Sequence, residues 1–332
     1  MSSQSSPNQS GQRIIIHNPV WYHYECIESV IHYLPRILGA RYQPSSPELV
    51  LNIVPEPGFI KYINTYKHKL MKRYGFSNII INEITTTTGE YNTTKPYFEQ
   101  TGENDLQIVL TIPGDELADL SIFTRENTYY ILHNYIPWPI TGVHPDNVFY
   151  LAPHCKTETL NYFIPDILPF SSKSVSADCQ TLVHTDSTGD DANSESIVIL
   201  VQGSMHRRDP RLLIELARSV ITNTRPDKLI ILTRSTNIRL PRHPRIRIIH
   251  KADFWDFHQA AAQCNIIATL VSLASHPKYY KSKLTSSISY GLGYNMRFLI
   301  DSKLAGIYGL DSPSNIIYDN KKDFLGKIGF KK

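Results

Sequence analysis

Residues 197–201, Ile-Val-Ile-Leu-Val, form an unbroken aliphatic run, mostly β-branched, with no polar side chain to mark a solvent face. Such a run is stable as a strand where both faces of a sheet are covered, the situation in parallel sheets flanked by helices. The rest of the C-terminal half repeats the theme. Gly203 ends the run, and Asp209-Pro210 opens a helix to about residue 220, with Pro210 suited to a first turn. Further strands are predicted at 228–233, 245–250, 266–271, 297–300 and 315–318. Between them fall helices at 254–264 (capped by Asp253), 283–292 and 303–308 (capped by Ser302), with a terminal helix from about 321.

The first half follows the same grammar. A strand at 13–16 leads through a loop at 17–21 into a helix at 25–38, with Cys26, Val30, Tyr33 and Ile37 near one face. A strand at 49–54 is stopped by Pro55-Glu56-Pro57-Gly58, and a helix at 59–71 precedes a strand at 78–84. Residues 85–102 read as a polar loop, and 106–112, 128–133 and 147–152 as further strands. Strand and helix alternating in both halves imply an α/β protein with two parallel sheets. Ligands of such sheets bind outside the carboxyl ends of the strands, so those ends are where chemistry is expected.

A chain of 332 residues exceeds what one core usually supports. The reading is a disordered tail at 1–11, a Rossmann-like domain at 12–175, a polar linker at 176–195 and a second Rossmann-like domain at 196–332. Residues 1–192 carry 12 Lys and Arg against 20 Asp and Glu, whereas residues 193–332 carry 22 against 10. The second half is therefore the one expected to attract an anion. Cys26, Cys155, Cys179 and Cys264 show no metal-site spacing and no close pair, so no metal is expected and a reducing compartment fits. No apolar stretch approaches a membrane span and the first residues lack the parts of a signal peptide. A cytoplasmic location is expected, with peripheral membrane contact left open and no nucleic-acid partner.

Residues 198–210 are the most informative stretch. Gly203 would let the backbone approach a ligand, and Arg207 or Arg208 would grip a phosphate, with the following helix start adding N–H donors. The glycine spacing fits neither a dinucleotide fingerprint nor a P-loop. Lys283 with Thr285, Ser286 and Ser287 forms a second such element, unless one hydroxyl serves only as a helix cap. Asp301 either binds a ribose or sugar hydroxyl or fixes the start of the next helix, and His250 is placed near a nucleobase. In the first half His17, Asn18, Asp115, His133 and Asn134 stand at strand ends, and His23 and Glu25 begin the first helix. His133, His23, Glu25 and Asp115 are the candidates for a general base. Trp21 and Trp138 are candidate platforms for a sugar face.

The arrangement resembles a glycosyltransferase of the GT-B architecture, two Rossmann-like parallel-sheet domains facing across a cleft. It is carried by the strand, Gly203 and Arg207-Arg208, and by residues 282–295 running into Arg297-Phe298-Leu299-Ile300. Tyr130-Ile131-Leu132-His133-Asn134-Tyr135 looks like an acceptor-side strand end. The resemblance, to family 4/1-like members, implies a nucleoside-diphosphate sugar held by the second half. It also implies a glycan, glycoconjugate or other hydroxyl acceptor at the first half, and no bound metal or cofactor. The sequence departs from many retaining members, which carry two glutamates seven residues apart here: residues 276–295 hold no Asp or Glu. Stereochemistry is thus undecided, and a nucleotide-sugar epimerase or a silent nucleotide-sugar- or glycan-binding relative stays open.

Overall fold

The computed structural model describes residues 13–18, 20, 23–42, 47–84, 101–102, 104–112, 127–132, 144–151, 161–162, 196–233, 239–274, 276–281 and 283–329. The chain divides into two compact units, one running to Phe149 and the other holding the whole C-terminal half.

In the first unit, strands β1 (Arg13–Asn18), β2 (Glu48–Ile53), β3 (Asn78–Glu83), β4 (Leu106–Ile112) and β5 (Thr128–Leu132) pair in parallel. With β6 (Val148–Tyr150) and β7 (Asn161–Tyr162) they form a sheet of order β3-β2-β1-β4-β5-β6-β7. Helix α1 (Tyr24–Leu38) joins β1 to β2, and α2 (Pro57–Tyr74) joins β2 to β3. Helix α2 begins two residues before the predicted start. Pro57 takes the first helical position and the Glu56 carboxylate caps it, accepting from Phe59 N–H at 2.6 Å.

A chain of side-chain hydrogen bonds crosses this sheet near its carboxyl edge. Asn82 Nδ2 donates to Asn52 Oδ1 (2.9 Å), and Asn52 Nδ2 to His17 Nδ1 (3.2 Å). That direction fixes the tautomer: His17 Nε2–H donates to Gln107 Oε1 (3.1 Å), whose Nε2 donates to Thr101 Oγ1 (2.8 Å). His17 is fully buried, and desolvation lowers its pKa to about 4, the Gln107 bond opposing only in part. His17 and Asn18 were expected as strand-end groups available for chemistry. Instead His17 has both ring nitrogens engaged, and Asn18 donates to Val20 O at 3.1 Å.

The second unit is built from β8 (Val198–Gln202), β9 (Lys228–Thr233), β10 (Ile246–His250), β11 (Ile266–Ala268), β12 (Arg297–Asp301) and β13 (Ile316–Tyr318). All neighbours are parallel in the order β10-β9-β8-β11-β12-β13. The order reverses between β8 and β11, which defines the switch point. The helices are α3 (Pro210–Thr222), α4 (Phe254–Ala261), α5 (Ser286–Gly293), α6 (Ser302–Tyr308) and α7 (Lys321–Ile328). Ile199, Val201, Leu229, Ile231 and Leu299 meet the α3 stripe Leu212, Leu213, Leu216, Ala217 and Val220 in one core, closed by Phe324 of α7. Each such aliphatic side chain contributes roughly 1.5–3 kcal/mol by leaving water. Strand β11 stops three residues short of expectation, because Leu270 adopts φ 46°, a left-handed conformation no strand contains.

The two edges of this sheet differ. At the amino edge the polar groups are paired: Asp227 accepts from Ile197 N–H (2.6 Å), Asn265 from Val198 N–H (2.7 Å), and Arg245 donates to the Asn223 (2.7 Å), Thr224, Pro226 and Asp227 carbonyls. At the carboxyl edge Gln202 Nε2 and Oε1, Arg208 Nη1, Thr269 Oγ1 and Thr285 Oγ1 are buried without a partner among the described residues.

Helix α5 lies so close to the sheet that a Cβ on Gly291 would stand 2.2 Å from Phe298 Cζ and 2.9 Å from Ile267 Cγ2. Gly291→Ala therefore overpacks the β11–β12 face. Denaturant titration is expected to show a loss of roughly 1–3 kcal/mol for this variant, against a change near zero for Gly306→Ala, where nothing lies within 4 Å.

Candidate functional site

Three chain segments meet at the β8–β11 switch point. The first follows β8. Gly203 has φ 99°, a conformation that disfavours any side chain, and its N–H donates to Leu232 O at 3.0 Å. A Cβ here would stand 3.0 Å from Arg208 Nη2, so the close approach this glycine permits is that of a guanidinium. Arg208 is 4% exposed. Its Nε (3.0 Å) and Nη2 both donate to Gln202 O, and Nη2 reaches Ser287 Oγ at 3.2 Å. Burial, and secondarily Arg207, lowers its pKa, and among the described residues no carboxylate bonds to it. Arg207, one residue earlier at the end of a 3₁₀ turn, is exposed. The sequence treats the pair alike; the fold does not.

The second segment leaves β11. Leu270 O accepts from Asp209 N–H at 2.8 Å, tying the exits of β8 and β11 together. Asp209 caps α3 through Arg211 N–H (2.9 Å) and Leu212 N–H (3.4 Å). Lys283, half-buried, precedes α5, and its pKa is lowered to about 8 by burial and then by Arg207 and Lys278. Both of these charges are positive. His276 feels the same field, its pKa lowered by burial and by His206, Arg207 and Arg208.

The start of α5 was expected at residue 283 and is found at Ser286, with Thr285 in the capping position. Thr285 makes no capping hydrogen bond, and its buried Oγ1 has no partner among the described residues. The neighbouring helices contrast with it: Asp209, Asp253, Asp301 and Asn320 all accept from N–H groups of the helices they precede. Capping thus does not account for the hydroxyls at 285–287. Ser287 Oγ is engaged by Arg208, while Ser286 is half-buried. Among the described residues, no side chain caps the positive end of α5.

Asp301, ending β12, caps α6 through Lys303 N–H (3.1 Å) and Leu304 N–H (3.3 Å), the second of the two roles its sequence position allowed and one also offered to Ser302. Burial raises its pKa, opposed by those bonds and by one from Tyr280. Asp301 is therefore occupied with the start of α6. Tyr280 O–H also lies 2.9 Å from Val271 O, anchoring the β11–α5 loop. His250 is exposed at the end of β10, the outermost strand, two positions from β8. The structure does not bring it to the other candidates.

In the first unit, α1 opens beside β1, at that sheet's own order reversal between β1 and β4. His23 has φ 66° and ψ 33°, left-handed for a side chain with a β-carbon, which turns it over the first turn of α1. Its Nδ1 lies 3.0 Å from Glu25 Oε1. Cys26 completes a group of three whose ligand atoms all lie within 4.8 Å of one another. Cysteine spacing could not show this cluster; the signal is the mixed His23-x-Glu25-Cys26 segment. Asp115, His133, Asn134, Trp21 and Trp138 lie outside the described residues, as does the predicted linker.

No protein-family model and no curated protein matches the chain. Solved structures do. A glycosyltransferase from Rickettsia africae ESF-5 aligns over 96% of this chain and 87% of its own, at 12% identity and TM-score 0.50. The fold is GT-B-like. Two further structures align more loosely. The putative UDP-N-acetylglucosamine 2-epimerase of Listeria monocytogenes covers 96% of this chain and 87% of its own at 10% identity and TM-score 0.45. The Neisseria meningitidis UDP-GlcNAc 2-epimerase bound to UDP-GlcNAc covers 78% and 77% at 10% identity and TM-score 0.40. At such identities the likeness establishes architecture, and the site must be argued from this chain's own residues. Among the described residues no helix is long and apolar enough to cross a membrane.

Proposed function

We propose that the protein uses a nucleoside-diphosphate sugar, and that its reaction is transfer of the sugar to a hydroxyl acceptor. The observation that carries this reading is the amino end of α5, without a side-chain cap among the described residues, beside Lys283, on which the positive charges of Arg207 and Lys278 act. A diphosphate supplies what that place lacks: a dianion with several acceptor oxygens. Backbone N–H groups of Ser286 and Ser287, the Thr285 hydroxyl and Lys283 would hold it, with Arg207 closing from the surface. Arg208 acts behind them, fixing Gln202 and Ser287 and lending charge through Nη1. Asp301 and His250 have no part in this reading.

His23 supplies the base. Glu25 orients its ring through Nδ1, and Nε2 is the atom that takes the proton of the acceptor hydroxyl. The acceptor oxygen then bonds to the anomeric carbon as the bond from that carbon to the diphosphate breaks, and the electron pair leaves with the phosphate. Charge growing on that leaving group is what Lys283 and the α5 dipole stabilise.

A panel of nucleoside-diphosphate sugars, offered with and without hydroxyl acceptors, tests the reading. Nucleoside diphosphate is expected to be released faster when acceptor is present, and His23→Ala is expected to lower that rate by roughly 10²–10⁴-fold. A rearranged sugar formed without acceptor would identify an epimerase instead. Tight donor binding with no release would identify a binding protein.

A further inference from the structure

We propose that His23, Glu25 and Cys26 form a binding site for a divalent transition-metal ion of the zinc class. The three donors are a ring nitrogen, a carboxylate oxygen and a sulfur, the set that borderline-soft ions such as zinc(II) take up. Their ligand atoms already lie within 4.8 Å of one another, and His23 Nδ1 and Glu25 Oε1 within 3.0 Å. Ligands on a tetrahedral ion stand roughly 3–4 Å apart at the usual bond lengths of ~2.0–2.3 Å, so small side-chain rotations suffice.

The thiol gives an independent indication. Cys26 is 1% exposed, yet its Sγ makes no hydrogen bond to a described partner. Cys26 Sγ lies within 4.8 Å of the ligand atoms of both His23 and Glu25. Three cues thus converge: left-handed backbone at His23, a carboxylate held by its ring, and a buried thiol without a hydrogen-bond partner among the described residues.

Binding exchanges the thiol proton for the ion. The thiol proton leaves to solvent, the proton that His23 Nδ1 shares with Glu25 moves to Nε2, the His23–Glu25 hydrogen bond gives way to two metal bonds, and a fourth position is left for water. Because His23 Nδ1 and Glu25 are consumed, an occupied site withdraws the base assigned under the proposed function. That consequence rests on the transferase reading; the binding itself does not.

Cobalt(II), a spectroscopic substitute for zinc, separates the two. Titration of the full chain is expected to give one equivalent of binding with a near-ultraviolet thiolate-to-cobalt charge-transfer band. Cys26→Ser should abolish the band and weaken binding by at least ~10–100-fold, the range that loss of a ligand's supporting partner already costs. Cys264→Ser should leave both intact. A band that survives in Cys26→Ser, or the absence of stoichiometric binding in the wild type, overturns the proposal. Should Cys26→Ser fail to fold, a chain keeping Cys26 as its one cysteine answers the same question: the band retained supports the site, the band lost refutes it. If cobalt binds as expected but zinc leaves sugar transfer unaffected, the metal site stands and the role of His23 as base falls.

Discussion

Replacement of Lys283 by alanine is expected to weaken binding of a nucleoside diphosphate by roughly 10–100-fold, with little change in the denaturation midpoint. Charge-assisted hydrogen bonds to an ammonium contribute about 1.5–3 kcal/mol, which sets that range. The side chain is half-buried among Arg207 and Lys278, so its charge is held against desolvation and repulsion when no anion is present. Removing it relieves that repulsion, which is why affinity and not stability should suffer. Lys283→Arg tests the geometry behind the charge. It restores the cation with a longer side chain and a planar fork in place of a compact ammonium, so partial recovery is expected. Calorimetric titration with UDP, GDP and ADP across the three proteins measures both effects. Unchanged affinity in Lys283→Ala would displace the diphosphate from this part of the fold.

Acidification is expected to destabilise the protein as pH falls from about 6.5 toward 4, with buried His17 one of the groups responsible. An unfolded histidine binds its proton near pH 6.5, whereas buried His17 resists until about pH 4. Because the folded pKa is the depressed one, the stabilising contribution is complete above pH 6.5 and is lost as pH falls toward 4. Over that window the loss approaches about 3 kcal/mol, at about 1.4 kcal/mol per unit of difference. Buried His258, whose pKa is also lowered, adds in the same direction. Protonated His17 would present a second N–H to Asn52 Nδ2, itself a donor, so the bond chain across four strands breaks at one link. Urea titrations at pH 7 and 4.5 should show this loss, reduced in His17→Gln, which has no proton to gain. An equal loss in both proteins would place the acid sensitivity elsewhere.

The architecture was legible because burial on both faces leaves so plain a mark. Residues 197–201 and 228–233 carry no polar alternation, and their strands fall within a residue of expectation. Helix starts were legible where an Asp supplies a cap, at Asp209 and Asp253. Where the capping residue also ends a strand they were left open: Asp301 was weighed both as a ligand and as the residue fixing the helix start, with Ser302 as a competing cap, and the structure gives the cap to Asp301.

Within the site, composition showed that positive charge gathers near Arg207, Arg208 and Lys283, but not which arginine faces inward. That difference depends on a single turn, Met205–Arg207, which swings one guanidinium out and carries the next under Gly203. Gly203 itself was read as room for a ligand, whereas the room is taken by Arg208. His17 looked like any strand-end histidine, because its partners Asn52, Asn82 and Gln107 lie 30 to 90 residues apart and meet only through the sheet register. The His23-Glu25-Cys26 cluster depends on a left-handed residue before α1, which no periodicity reveals.

Amide hydrogen exchange with and without a saturating nucleoside diphosphate examines the central claim at the atoms concerned. If the start of α5 holds the phosphates, the Ser286 and Ser287 amides should slow markedly, along with the segment after β8, while α4 and α7 stay unchanged. Protection that appears elsewhere and leaves Ser286 and Ser287 exchanging as before would contradict the account.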